Sequence, residues 1–182
     1  MQTFAVYVDN KPGVLNRVAS LFRRRAFNIE SLTVGHTEMP GVSRMTIVVD
    51  TDERGARLVE ANLYKLIPVR RVDNITRVPT IGRDLAMIKV AATGDARTQV
   101  MQLVDVYRSR IVDVSPESLV IETTGTEDKI DSLLEVLRPY GVIEMVRTGR
   151  VEMARGIMQP TPIGTQQPDR RVAPRDAGSG SV

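Results

Sequence analysis

Cysteine and tryptophan are both absent from this chain of 182 residues. Without cysteine there is no disulfide framework, no thiolate nucleophile and no cysteine-bound metal, so the fold must rest on its core. Histidine occurs once, as His36. A lone imidazole with no spaced second ligand reads as an exposed or locally hydrogen-bonded side chain. Nowhere do 18 apolar residues run together, and Met1-Gln2-Thr3-Phe4 has neither the basic nor the apolar stretch of a secretion signal. A soluble, cytoplasmic protein is expected, with no membrane partner. Charge of one sign is also lacking: 25 Lys and Arg against 22 Asp and Glu leave +3, too little for a strong phosphate-binding field.

What is present suits a globular chain. At 42% hydrophobic and 26% charged residues, there is room for two small domains and a tail. From Gln159 to Val182 there are four Pro, three Gly and three Gln, and the isolated Ile163, Val172 and Val182 show no periodicity. That stretch cannot offset its ordering entropy by burial and reads as a disordered tail.

Before it, two segments repeat one order of signals. In the first, Phe4, Val6 and Val8 alternate as in a half-buried strand, and Asp9-Asn10-Lys11-Pro12-Gly13 stops it. Val14, Val18, Leu21 and Phe22 then follow helical spacing to an end near Phe27-Asn28. Ile29 to Thr37 and Val42 to Asp50 read as a hairpin around Pro40-Gly41. Thr51 or Asp52 caps a helix whose stripe is Val59, Leu63, Leu66 and Ile67, Pro68 ends it, and Val69 to Val78 is a fourth strand.

The second segment runs from a strand at Leu85 to Val90 through a Gly94-Asp95 turn into a helix carrying Val100, Leu103, Val104 and Tyr107. Strands at Arg110 to Val114 and Ser118 to Thr123 follow, then a helix with Ile130, Leu133, Leu134 and Leu137, and a last strand at Val142 to Arg147. The reading is α+β: two ferredoxin-like βαββαβ sandwiches at residues 1–78 and 84–158, a linker at 79–83, and a tail at 159–182. Each sheet has one face without helical cover, which suggests that the units associate with each other or with a partner.

Catalytic sets are missing from the sequence. There is no GxxxxGK[ST], GxGxxG after a strand, HExxH or GxSxG. Asp50, Asp52 and Glu53, or Glu127 and Asp128, sit where helix N-termini favour carboxylates. Arg23-Arg24-Arg25 fans around a helix as a solvated face. Asn74-Ile75-Thr76 matches a glycosylation sequon, but no signal would deliver it.

The loop Asp9 to Leu15 is more specific. It joins a strand to a helix, so the free N–H groups of the first helical turn point into backbone shaped by Gly13. The residues leave two readings open: a carboxylate-binding loop, or a plain connection with Asn10 as a turn residue.

Asp9-Asn10-Lys11-Pro12-Gly13-Val14-Leu15-Asn16-Arg17, Asn28-Ile29-Glu30-Ser31-Leu32-Thr33-Val34 and Ser43-Arg44-Met45-Thr46-Ile47 resemble the amino-terminal ACT domain of the small, regulatory subunit of acetohydroxyacid (acetolactate) synthase. Arg83-Asp84-Leu85, Ile88-Lys89-Val90, Ile111-Val112-Asp113-Val114, Thr124-Gly125-Thr126, Arg147-Thr148-Gly149 and Ala154-Arg155-Gly156 are similar to the carboxy-terminal domain of the same subunit. The resemblance spans Met1 to Met158. It implies a non-catalytic chain that binds the large catalytic subunit, activates it and confers feedback inhibition by valine or another branched-chain amino acid. No cofactor is implied on this chain; thiamine diphosphate, Mg²⁺ and FAD would stay on the large subunit. It further implies a homodimer through the ACT domain, with effector held between Asn10, Gly13, Val14 and Leu15 of one protomer and Asn28 and Ile29 of the other.

Elementary chemistry is compatible with those positions. Backbone N–H groups of Val14 and Leu15 can take a carboxylate, the amides of Asn10 and Asn28 can meet an ammonium, and Val14, Leu15 and Ile29 can line an apolar slot. A different ACT-type amino-acid sensor would keep the loop but lack the second segment's motifs. An RNA-recognition module would carry stacking aromatics on its third strand, and Val42 to Asp50 has none.

Overall fold

A computed structural model describes residues 1–156. The tail expected at 159–182, and the last two residues of the expected second domain, lie outside the described residues. The first unit comprises β1 (Gln2–Asp9), α1 (Val14–Arg24), β2 (Ile29–His36), β3 (Val42–Val49), α2 (Glu53–Leu63) and β4 (Val69–Asn74). Its antiparallel sheet has the order β2-β3-β1-β4. The second comprises β5 (Thr80–Ala91), α3 (Gly94–Val106), β6 (Arg110–Val114), β7 (Ser118–Gly125), α4 (Glu127–Leu137), a 3₁₀ turn (Arg138–Tyr140), β8 (Val142–Arg147) and β9 (Val151–Ala154). There the order is β6-β7-β5-β8, with β9 on the early part of β5. The α+β class and the ferredoxin-like repeat are as the sequence patterns predict.

Each unit encloses its own core. Phe4, Val6 and Val8 from β1 meet Val18, Leu21 and Phe22 from α1 and Val59 and Leu63 from α2, all buried. In the second unit Ile88, Val90 and Ile121 meet Val100, Val104, Leu133 and Leu137. The strand residues alternate with a period of two and the helix residues follow 3.6, so each sequence stripe becomes one buried face.

Several boundaries differ from expectation, each for a local reason. Helix α1 stops at Arg24 because Ala26 enters the left-handed region (φ 55°), which cannot continue a right-handed helix. Helix α2 stops at Leu63, so Ile67 is 84% exposed while Leu66 still packs on the core from the following turn. Strand β4 ends at Asn74, whose Oδ1 accepts from the Thr76 backbone N–H at 3.0 Å and turns the chain.

The largest difference concerns the linker. Thr80–Arg83, expected at 79–83 to be connecting chain, instead form the first part of the long strand β5 and pair with Val151–Ala154. This two-stranded arm supplies cover for the helix-free face of the first sheet. Thr33 Oγ1 donates to Arg150 O at 2.7 Å, Arg150 N donates to Ser31 Oγ at 3.1 Å, and the Arg44 guanidinium donates to Glu152 O. Thr3, Ala5, Thr46 and Val48 on that face are consequently buried. Among the described residues no helix is long and apolar enough to cross a membrane.

Candidate effector site

The loop after β1 is fixed at both ends. Asp9 N donates to Pro68 O at 2.8 Å and Asn10 N donates to Gly41 O at 2.9 Å. Gly13 then adopts φ 81°, ψ −5° directly before α1. This left-handed turn carries the chain from the loop into the helix, and glycine enters it without strain.

Helix α1 begins unusually bare. Gly13 brings no side-chain cap, and the first turn contains no acidic residue. By contrast, Asp52 caps α2 by accepting from Gly55 N at 2.7 Å, and α3 and α4 each carry carboxylates in their first turn. Of the two N–H groups expected to face a carboxylate, that of Val14 instead donates to Lys11 O at 3.4 Å, closing the loop on itself. Those of Leu15 and Asn16 precede the first i→i+4 bond, Arg17 N to Gly13 O at 3.1 Å, and find no acceptor among the described residues. Free donors and a positive dipole end are what an anion needs.

The named side chains divide between core and solvent. Val14 is buried in the first core, Leu15 is 45% exposed and Asn10 is exposed. Asn28 is exposed and donates to Glu30, while its carbonyl accepts from Asp50 N at 3.3 Å; Ile29 is half-buried against the core. His36 is exposed and locally hydrogen-bonded, as a lone imidazole is expected to be: its Nδ1 lies 3.4 Å from Asn10 Nδ2. The β2–β3 hairpin returns His36 to the loop end of the sheet, a proximity that spacing along the chain does not announce.

Within one chain the two groups of residues do not meet. Asp9 pairs with Val42, and Ile29 with Val49; at roughly 3.3 Å per residue, those seven positions along β3 set the two ends about 23 Å apart. Loop residues stand at one end of the sheet and Asn28-Ile29 at the other.

A family model described as the AHAS small subunit-like ACT domain matches residues 4–71, and one described as the small subunit of acetolactate synthase matches residues 83–156. The probable acetolactate synthase small subunit of Archaeoglobus fulgidus is 51% identical over 154 residues, covering 85% of this chain and 96% of the relative. The chain belongs to the acetolactate synthase small-subunit family. The acetolactate synthase small subunit of Mycobacterium bovis is 46% identical over 163 residues, covering 90% of this chain and 95% of the relative. A crystal structure of the small subunit from Thermotoga maritima superimposes with a TM-score of 0.82 at 40% identity, covering 86% of this chain and 98% of that one.

As a member of the acetolactate synthase small-subunit family, the chain is a non-catalytic, regulatory ACT protein of branched-chain amino-acid biosynthesis that works with a catalytic subunit. The two family matches fall on the two sandwiches, and the interval between them contains the turn after β4 and the start of β5.

Proposed function

We propose that this small subunit binds the large subunit in the cytoplasm, raises its activity and carries feedback inhibition by valine. Thiamine diphosphate, Mg²⁺ and FAD belong to the large subunit on this reading. Valine occupies a site completed by two copies of the chain: its carboxylate on the α1 N-terminus beside Gly13, Val14 and Leu15, its ammonium near Asn10 of one protomer and Asn28 of the other, and its isopropyl group against Leu15 and Ile29. The observation that carries this reading is the uncapped start of α1 behind an open Gly13 loop. Family membership gives that loop its regulatory context.

The separation of the loop from Asn28-Ile29 along the sheet supports a two-protomer site, since a small amino acid cannot bridge those ends within one chain. Effector binding then favours whichever arrangement completes the site, which is the differential contact allostery requires. Valine titration by calorimetry, with sedimentation of the purified chain, tests this directly. Saturable binding by a dimer or larger species is the expected result; a monomer that binds no valine is the contrary one.

A further inference from the structure

We infer that the Gly149–Arg150 segment is a latch that carries the state of the β2 half-site into the second domain. This rests on the effector reading above and extends it to residues outside the valine site.

Arg150 grips β2 through its backbone: its N–H donates to Ser31 Oγ at 3.1 Å and its carbonyl accepts from Thr33 Oγ1 at 2.7 Å. Gly149, at φ 80°, permits the approach; a Cβ there would stand 2.8 Å from Ser31 Oγ, closer than side chains pack. The Arg150 side chain turns the other way, and its guanidinium bonds Glu127 at 2.7 Å, the first residue of α4. The preceding strand is pinned as well, because Arg147 holds the buried Asp84 at 2.8 Å and Asp131 on α4 at 3.0 Å. A cavity of about 290 Å³ at this junction is lined by Glu30, Ser31, Arg147, Gly149 and others, so the contact is not packed solid.

Strand β2 is suited to pass on a shift. It is an edge strand whose neighbour in the sheet is β3, and its register slips between Ile29 and Ser31. That irregularity falls between the half-site at Asn28-Ile29 and the latch at Ser31 and Thr33. Bulged edges can re-aim side chains without unpairing the whole strand. When a second protomer and valine settle Asn28-Ile29, the adjustment reaches Ser31 and Thr33, then the Arg150 backbone, then the start of α4.

Hydrogen–deuterium exchange on the full chain with and without valine, beside calorimetry and inhibition of the reconstituted enzyme, tests the latch. In the wild type, valine should slow exchange at residues 149–152 and 127–131 as well as at 10–15. Ser31→Ala with Thr33→Val should bind valine within about threefold of wild type while exchange at 149–152 stops responding and inhibition weakens by at least about fivefold. Arg150→Ala, which keeps the backbone bonds and guards against a folding defect in the double variant, should leave the response at 149–152 and remove it at 127–131. Valine binding to the wild type with no change at 149–152 overturns the latch alone, as does a folded double variant that transmits inhibition normally. Absence of valine binding to the wild type overturns the effector reading and the latch together.

Discussion

The Arg70 guanidinium bonds Asp9 Oδ1 at 2.6 Å, tying the last residue of β1 to β4 where the candidate loop departs. Lys11 Nζ holds the other carboxylate oxygen at 3.1 Å. One carboxylate thus braces both the sheet edge and the loop that leads to Gly13. The Arg70 bond foremost, and the Lys11 bond after it, hold the Asp9 carboxyl below its ordinary range against a small opposing effect of burial.

That depression sets a pH dependence. A carboxylate whose folded pKa lies below its unfolded value favours folding at pH above the unfolded value, and the benefit disappears as pH falls through the folded one. Asp9→Asn should therefore cost about 0.5 kcal/mol near neutrality, as exposed ion pairs do, and nothing in strong acid. Thermal melts of both proteins from pH 7 downward check this; a difference that persists undiminished in acid contradicts it.

Glu60 has the opposite sign. Desolvation, and secondarily the charge of Asp73, push its carboxyl up. Its raised folded pKa favours folding at low pH, and that contribution is lost as pH rises through the folded value. Glu60→Gln should raise the unfolding midpoint at pH 7 and lose that advantage near pH 4. Denaturant titrations at the two pH values read the difference, and equal shifts at both would count against this assignment.

The two cores should respond separately. Phe22 is buried in the first and meets Phe27 edge-on at 6.5 Å, while Leu133 is buried in the second. Phe22→Ala should cost about 3–5 kcal/mol and Leu133→Ala about 2–5 kcal/mol, from lost transfer energy and the cavities left behind. Exchange-detected unfolding should place the first loss mainly in residues 2–74 and the second mainly in 84–147. Equal loss in both units from either variant would contradict separate cores.

Much of this architecture is legible in the sequence because burial follows period. Phe4, Val6 and Val8 announce β1 by alternation, and Val14, Val18, Leu21 and Phe22 announce α1 by helical spacing. The β5–β9 arm is not legible. Pro79 and Gly82 read as breakers, Val151–Ala154 is only four residues long, and their pairing spans some 70 positions of chain, which no local pattern encodes. The cover on the first sheet is hidden for the same reason: Ser31, Thr33 and Arg44 look like solvent-facing polar residues until Arg150 and Glu152 arrive. Of the candidate site, the Gly13 loop follows from strand, glycine and helix in succession, whereas the place of Asn28-Ile29 at the far end of the sheet requires the register.

Gly13→Asp should abolish or strongly weaken valine inhibition while activation survives. Nothing stands within 4 Å of a Cβ at this position, and aspartate is among the side chains that tolerate the left-handed region, so the effect is electrostatic: a carboxylate where an anion binds. Asn28→Ala should weaken valine binding by about 1–3 kcal/mol, the cost of leaving a charged group short of a partner. Calorimetry on the two variants, with inhibition curves, separates these outcomes. Wild-type binding and inhibition in both would place the site elsewhere.

On the proposed function this chain performs no chemistry itself and governs a partner that does. Acetolactate formation by the cognate large subunit, measured alone, with this chain, and with this chain plus valine, tests it most directly. The expected results are no turnover by the isolated chain, faster turnover when the two subunits are combined, and suppression of that rate by valine. Turnover by the chain alone, or a catalytic subunit whose rate is the same with and without it, would overturn the regulatory role.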